Sequence, residues 1–144
     1  MKAIDAANYI INEAIEQGKP VTNLKLQKML FQAQLEAAKN DCKLIDSDFE
    51  AWQYGPVSRE VYSEFAIYSS NDIDKKQEQV EIKDDKKKII DAVIASNIDK
   101  NTWDLVEESH VENGAWDITI KNKGLKKTID FKDIQKEAKK DSKK

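Results

Sequence analysis

The residue types that most often carry catalysis or metal binding are scarce in this chain. His110 is the single histidine and Cys42 is the single cysteine. Zinc sites draw three or four protein ligands, mainly from histidine and cysteine, so one of each does not supply a usual zinc site. A serine–histidine–aspartate arrangement would have to use His110, but the sequence contains no nucleophile elbow. We interpret His110 as a packed or helix-capping residue, and we predict no metal site and no cofactor.

Other catalytic signals are equally weak. The acidic pairs Asp84–Asp85 and Glu107–Glu108 fall on charged helix surfaces or at predicted helix starts, where solvated carboxylates are favourable. No Gly-rich phosphate-binding loop is present. Cys42 lies in a polar turn without a pattern of basic neighbours, which disfavours a reactive thiol. These patterns predict that the chain has no catalytic residues and is not an enzyme.

The aromatic residues near the Gly–Pro pair at 55–56 are more informative. Four side chains that can serve protein recognition flank this pair: Trp52, Tyr54, Arg59 and Tyr62. In one interpretation they form a core corner where a strand turns into a helix, because Gly permits unusual backbone angles and Pro fixes the next one. In the other they form an exposed surface, since Trp, Tyr and Arg are enriched in interface hot spots. The sequence leaves both interpretations open.

The strand predicted before Gly55 determines which of these side chains point the same way. Residues two apart share one face of a strand, so Trp52 and Tyr54 should lie together. The opposite face would carry Phe49, Ala51 and Gln53, and its apolar members make it the core side. We therefore predict that Trp52, Tyr54, Arg59 and Tyr62 bind a partner. Replacing Trp52 or Arg59 with Ala should weaken that binding.

The elements that must position this corner are mainly helical. Apolar residues recur at helical spacing from Ala3 to Gln17. A second helix, capped by Thr22 or Asn23, should run to about Lys39. Its apolar residues form two sides rather than one stripe, which is typical of a central helix; they are Leu24, Phe31, Leu35 and Ala38 on one side, and Leu26, Met29, Leu30, Ala33 and Ala37 on the other. Gln27 and Gln34 fall between the two sides and need hydrogen-bond partners if buried.

The second half of the chain alternates helices with polar connections. We predict helices beginning near Ser58, near Asp85, at Asp99 or Asn101, and after the capping residue Asp130, with a polar loop over residues 69–83. The segment after Gly114 is ambiguous, because Trp116, Ile118 and Ile120 alternate as in a strand while Trp116 and Ile120 also fit a helix. The predicted fold is mainly α (α+β): a compact helical domain around a central helix, with a small β-hairpin or short sheet.

Length and composition limit the remaining possibilities. The chain has 144 residues and a net charge of −3, which fits one domain over residues 1–138 with a flexible Lys-rich tail over 139–144. The acidic balance disfavours a general nucleic-acid binder. No run approaches the roughly 20 apolar residues that span a bilayer, and the N-terminus lacks a signal-peptide pattern. With a single cysteine as well, we expect a cytoplasmic protein that does not bind membranes.

Three segments in order resemble the signatures of a known family. They are residues 22–31 (TNLKLQKMLF), residues 49–57 (FEAWQYGPV) followed by Val61 and Tyr62, and Ser109–His110 followed by Gly114–Ala115–Trp116. Together they resemble the SocA-like, phage-associated antitoxin family, now called the Panacea domain, over about residues 3–138. The motif positions are Gln27, Lys28, Gly55, Pro56, His110 and Trp116.

The resemblance implies a helical domain with a small sheet element and no catalytic signature. It implies an antitoxin that neutralises a cognate toxin by direct contact, with members found in prophages. At least one branch of the family instead acts as an adaptor that delivers its toxin to a protease, so a protease is a second possible partner. A nucleic-acid-binding regulator is the less favoured alternative, because the body of the chain is acidic and phosphate contacts would have to come from a local patch or from the Lys-rich tail.

Overall fold

The computed structural model describes the backbone of residues 1–142 and the side chains of residues 1–140. Within this part, the helices are α1 (Ala3–Glu16), α2 (Asn23–Ala38), α3 (Arg59–Glu64), α4 (Asp84–Asn97), α5 (Thr102–Ser109), α6 (Ala115–Asn122) and α7 (Phe131–Ser142), with a 3₁₀ turn at Ala66–Tyr68. The strands are β1 (Glu50–Trp52), β2 (Gly55–Val57) and β3 (Lys127–Thr128). The predicted class, a mainly helical domain with a small sheet, is confirmed.

None of the helices in the described region combines the length and the apolar character that crossing a bilayer requires.

Helix α2 is the centre of the domain, as its two apolar sides predict. It contacts α1, α3, α4, α5, α7 and β2, and Leu26, Met29 and Phe31 are all buried. The helix starts where expected, since the Thr22 hydroxyl oxygen accepts a hydrogen bond from the Lys25 backbone N–H at 3.2 Å. A helix with neighbours on several sides has to satisfy every polar side chain that it buries.

Both glutamines of α2 are buried and both have partners. Gln34 binds the backbone of Ile45 twice: its Nε2 donates to the carbonyl at 3.1 Å, and its Oε1 accepts from the N–H at 2.9 Å. Gln27 accepts from the Ser58 N–H at 2.8 Å and donates to Asn23 Oδ1 at 3.1 Å. The predicted hydrogen bonding of Gln27 and Gln34 is confirmed, and these bonds fix the chain segments on either side of the hairpin.

The sheet differs from the predicted strand-to-helix corner. Gly55 and Pro56 do not end the strand; they begin β2, which pairs antiparallel with β1 so that Pro56 lies opposite Ala51. The strand order is β2–β1–β3, and Pro is accommodated because β2 is an edge strand that needs fewer backbone donors. Gln53 lies in the hairpin turn and is exposed rather than on the core side, whereas Phe49 and Ala51 are buried as predicted.

The ambiguous segment after Gly114 is helical. Tertiary contacts override the β-branched run 118–120 here. The Glu137 carboxylate of α7 accepts a hydrogen bond from the Ala115 N–H at 2.8 Å, at the first turn of α6, where a negative charge is favourable. Thr119 is buried, and its hydroxyl donates to the Ala115 carbonyl at 2.8 Å. A carboxylate supplied from α7 therefore stabilises α6.

Helix α7 begins after Asp130, whose carboxylate accepts from the Lys132 N–H at 2.9 Å as the predicted cap. The helix continues past Ala138 to Ser142, so its end does not coincide with the predicted domain boundary. Lys139 forms an ion pair with Asp41 at 2.7 Å. The proposed flexibility of the tail stays a prediction, and residues 143–144 lie outside the described residues.

A buried lysine of α2 contacts the β1–β2 hairpin on its inner side. The Lys28 side chain is only 1% exposed, and its ammonium donates to the Pro56 carbonyl at a long 3.4 Å. Burial lowers the pKa of Lys28 from 10.5 to about 7. A Cβ added to Gly55 would lie 2.5 Å from Lys28 Nζ and from Ser109 Oγ. A side chain at position 55 would therefore displace the ends of the Lys28 and Ser109 side chains.

We expect Gly55→Ala to destabilise the fold by more than a backbone penalty alone. Gly55 has φ +115°, where a side chain costs about 1–2 kcal/mol, and the added methyl would collide with buried groups at a further ~1–3 kcal/mol. The matched control is Gly124→Ala, which has φ +103° but no heavy atom within 4 Å of the added Cβ. Urea denaturation of both variants measures the difference; equal losses would contradict the packing argument.

We expect Lys28→Met to be more stable than the wild type at pH 7, with an advantage that shrinks as pH rises. Lys28 has a pKa of about 7 when folded and an ordinary value of 10.5 when unfolded. Between these pH values the unfolded wild-type chain binds more protons than the folded one. The free energy of unfolding of the wild type therefore rises by about 1.4 kcal/mol per pH unit relative to that of the variant. Below pH 7 the penalty for burying the charge is fully present.

Chemical denaturation at several pH values from 7.5 to 9.5 checks this. Lys136→Met, an exposed position on α7, is the matched control and should show a constant difference from wild type. A Lys28→Met difference that does not change with pH would mean that the ammonium reaches solvent.

Candidate functional site

Three of the four predicted partner-binding residues line one groove. Its cavity of about 330 Å³ lies between α2, the β1–β2 hairpin, α3 and the turn from α6 to β3. We call it the aromatic groove; its lining is Leu24, Gln27, Trp52, Gln53, Tyr54, Val57, Tyr62, Leu125 and Lys126. The fourth predicted residue, Arg59, lies at its border against Trp52. Segments far apart in sequence thus converge on Trp52.

Trp52 is half-buried at the centre of the groove. Its ring packs against Tyr62 with centroids 4.8 Å apart, and its indole N–H donates to the Glu50 carboxylate at 3.1 Å. Two cations approach the ring: the Arg59 guanidinium at 5.8 Å and the Lys126 ammonium at 5.3 Å from the centroid. Such distances allow a favourable interaction of each cation with the ring electrons.

Arg59 is held in place by Glu50. Its Nε and Nη2 each donate to a different Glu50 carboxylate oxygen at 2.9 Å, which is the bidentate geometry that orients an arginine most strongly. These hydrogen bonds lower the pKa of Glu50 and raise that of Arg59. Both groups stay charged over the whole physiological range, so the guanidinium is a fixed feature of the groove border.

The groove is open to solvent along its aromatic residues. Tyr54 is 45% exposed and Tyr62 is 40% exposed. Tyr54 also packs edge-to-face against Trp103 of α5, with centroids 5.3 Å apart. Trp103 is 57% exposed, because α5 buries only Leu105 and Val106. The aromatic surface therefore extends from α3 across the hairpin to α5.

Sequence reasoning missed the turn between α6 and β3. Leu125 is 58% exposed, and Lys126 adopts a left-handed backbone with φ +64°. The Lys126 N–H donates to the Ala51 carbonyl at 2.6 Å, which ties the turn to β1. The available signal was a single Leu within the Lys-rich run of residues 121–127. A lone apolar residue in a polar turn has no apolar neighbour in the sequence to pack against.

Apart from Gln27, which lines the groove, the motif residues lie behind it. The Trp116 indole N–H donates to the Trp52 carbonyl at 2.7 Å, and His110 stacks on Trp116 with centroids 4.0 Å apart. His110 also caps the end of α5. Burial and, to a smaller extent, the charge of Lys28 lower the pKa of His110, so the ring is neutral at pH 7. Together with Gln27, Lys28, Gly55 and Pro56, these residues position the hairpin.

The described residues contain no cluster of three His, Cys, Asp or Glu side chains that could hold a metal ion. What the groove offers is apolar and aromatic area beside two cations, Arg59 and Lys126, and aromatic residues and Arg are enriched at protein interfaces.

Comparisons with known proteins bear on the same residues. Neither the curated proteins nor the solved structures contain a match to the chain. The family model described as antitoxin SocA-like, Panacea domain, matches residues 26–117. The match covers well over half of the chain and includes Trp52, Tyr54, Arg59 and Tyr62, whereas Leu125 and Lys126 lie beyond it. The chain belongs to the SocA-like Panacea domain family of antitoxins.

Proposed function

We propose that this chain is a non-catalytic antitoxin that neutralises a cognate toxin by binding it through the aromatic groove. The observation that carries the proposal is a preformed aromatic surface in which the half-buried Trp52 lies beside the exposed side chains of Tyr54, Tyr62 and Trp103. Membership of an antitoxin family makes a toxin the natural partner.

The rigidity of the groove supports a binding role. Trp52 is held by contacts to Tyr62, Glu50 and Trp116, and Tyr54 is held by Trp103. Aromatic side chains that are already fixed lose little conformational entropy when a partner binds, so more of their contact energy appears as affinity. Exposed aromatic residues of this kind are the ones that usually dominate an interface.

The proposed site of action is the cytoplasm. Cys42 is a free, exposed cysteine, and a reducing compartment keeps such a thiol from forming disulfides with other proteins. Association with a prophage is part of the same proposal and is checked by sequencing the genomic neighbourhood of the gene.

Neutralisation by direct contact and delivery to a protease use the same first step, which is toxin binding. The two differ in what happens to the toxin afterwards. Under neutralisation the toxin accumulates in a stable complex, whereas under delivery its half-life falls when the antitoxin is present. A pulse-chase measurement of a tagged toxin, with and without this chain, distinguishes the two outcomes.

The binding proposal is tested with Tyr54→Ala and Trp103→Ala, using the product of the adjacent gene as the candidate toxin. Each variant should weaken binding by about 2 kcal/mol or more, the size of an interface hot spot, and should fail to rescue growth of cells that express the toxin. Both residues are about half exposed, so the fold should be retained. Calorimetry gives the affinity, and circular dichroism reports the fold.

Ile67→Ala is the matched control. Ile67 is 88% exposed but does not line the groove, so its truncation removes exposed apolar area elsewhere and should leave toxin binding unchanged. If Ile67→Ala weakens binding while both groove variants bind normally, the toxin contacts another face and the groove proposal is wrong.

A further inference from the structure

The charge around the groove is unlike that of the whole chain. The protein has a net charge of −3, yet Trp52 is approached by the cations Arg59 and Lys126 and by a single carboxylate, Glu50. No Asp or Glu lines the groove. The immediate surroundings of Trp52 therefore carry one net positive charge on an acidic protein.

The two cations are not equivalent. Arg59 is neutralised by its bidentate pair with Glu50. Lys126 also acts on Glu50 through space, but none of the ion pairs within 4 Å among the described side chains includes Lys126. The Lys126 ammonium is thus the charge in the groove that is available for a new ion pair. A carboxylate of a partner would pair with it without breaking an existing ion pair.

The backbone presents Lys126 and Leu125 in a fixed arrangement. Gly124 and Lys126 both have left-handed backbone angles, φ +103° and +64°, and the Lys126 N–H is bonded to Ala51. A left-handed non-Gly residue carries an energetic cost, and such residues cluster at binding sites, where the surrounding structure maintains them. Here the arrangement places the exposed Leu125 beside Lys126, which forms no close ion pair, on the groove rim.

The geometry points to a partner segment with two linked features: a large apolar side chain that enters the aromatic groove between Leu125, Tyr54 and Tyr62, and a neighbouring Asp or Glu that pairs with Lys126. This inference rests on the proposed function, because it names the part of the toxin that the groove recognises. The cavity of about 330 Å³ falls at the lower end of the volumes typical of ligand pockets, which suits one side chain rather than a helix face.

Displayed random peptides are the probe, since they test the groove without knowledge of the toxin. Selection on the immobilised full chain should enrich peptides in which Phe, Leu or Trp lies within one or two positions of Asp or Glu. Selection on Lys126→Glu should instead enrich Lys or Arg beside the same apolar residues. Lys127→Glu is the matched control: it makes the same charge change one residue away, outside the groove lining, and should retain the acidic preference.

One enriched peptide is then synthesised with Asp and with Lys at the acidic position. The wild type should bind the Asp form about fivefold more tightly, as expected for a solvent-accessible ion pair, and Lys126→Glu should reverse the order. Tyr54→Ala should weaken both forms. The inference is overturned if no apolar–acidic pattern is enriched, if Lys127→Glu reverses the preference equally, or if Tyr54→Ala binds the peptides normally.

A second copy of this chain is the competing occupant. Sedimentation that shows a concentration-dependent dimer, lost in Tyr54→Ala, would assign the groove to self-association and overturn the inference.

The toxin assay separates the two proposals. If Tyr54→Ala and Trp103→Ala lose the toxin while Lys126→Glu binds it normally, the groove is the toxin site and only the acidic partner chemistry is wrong. If all three bind the toxin normally, the groove is not the toxin site, and the peptide selection still decides what the groove itself recognises.

Discussion

The aromatic groove depends on one chain of hydrogen bonds that connects α2 to α3. The Ser58 N–H donates to Gln27, Gln27 donates to Asn23, and Asn23 donates to the Tyr62 carbonyl at 3.1 Å. The chain joins the central helix to both ends of α3, the helix that carries Tyr62 and Arg59. Because Ser58, Gln27 and Asn23 are buried, a misplaced α3 would leave several of their polar atoms unpaired, which costs more than the bonds contribute when made. The position of α3 is thereby fixed.

Several elements shape the groove, and each of them is held by its own hydrogen bonds. The hairpin is held from below by Lys28 and Trp116, α3 by the amides of α2, and the α6–β3 turn by its bond to Ala51. Helix α6 in turn relies on the Glu137 carboxylate of α7. Gly114 is part of that arrangement, because a Cβ there would collide with the same carboxylate. Residues far apart in the chain thus cooperate to present one rigid surface.

The sequence predicted those features that a single helix or strand determines. The two-sided apolar pattern of α2 identified the central helix, and the position of Gln27 and Gln34 between the two sides showed that they needed partners. The aromatic residues near 55–56 indicated the corner that forms most of the groove. The sequence could not show that Gly55 and Pro56 begin a second strand, because that strand depends on pairing with β1. Nor could periodicity show that Trp103 is exposed or that Leu125 lines the same groove as Trp52, since both follow from how distant segments pack.

All three tryptophans of the chain belong to this one region. Trp52 lines the groove, Trp103 packs against Tyr54, and Trp116 is bonded to the backbone of Trp52. Indole emission responds to polarity and to nearby charges, and no tryptophan elsewhere dilutes the signal. The intrinsic fluorescence of the unlabelled protein is therefore a local optical probe, which follows water leaving the groove on complex formation without an attached dye.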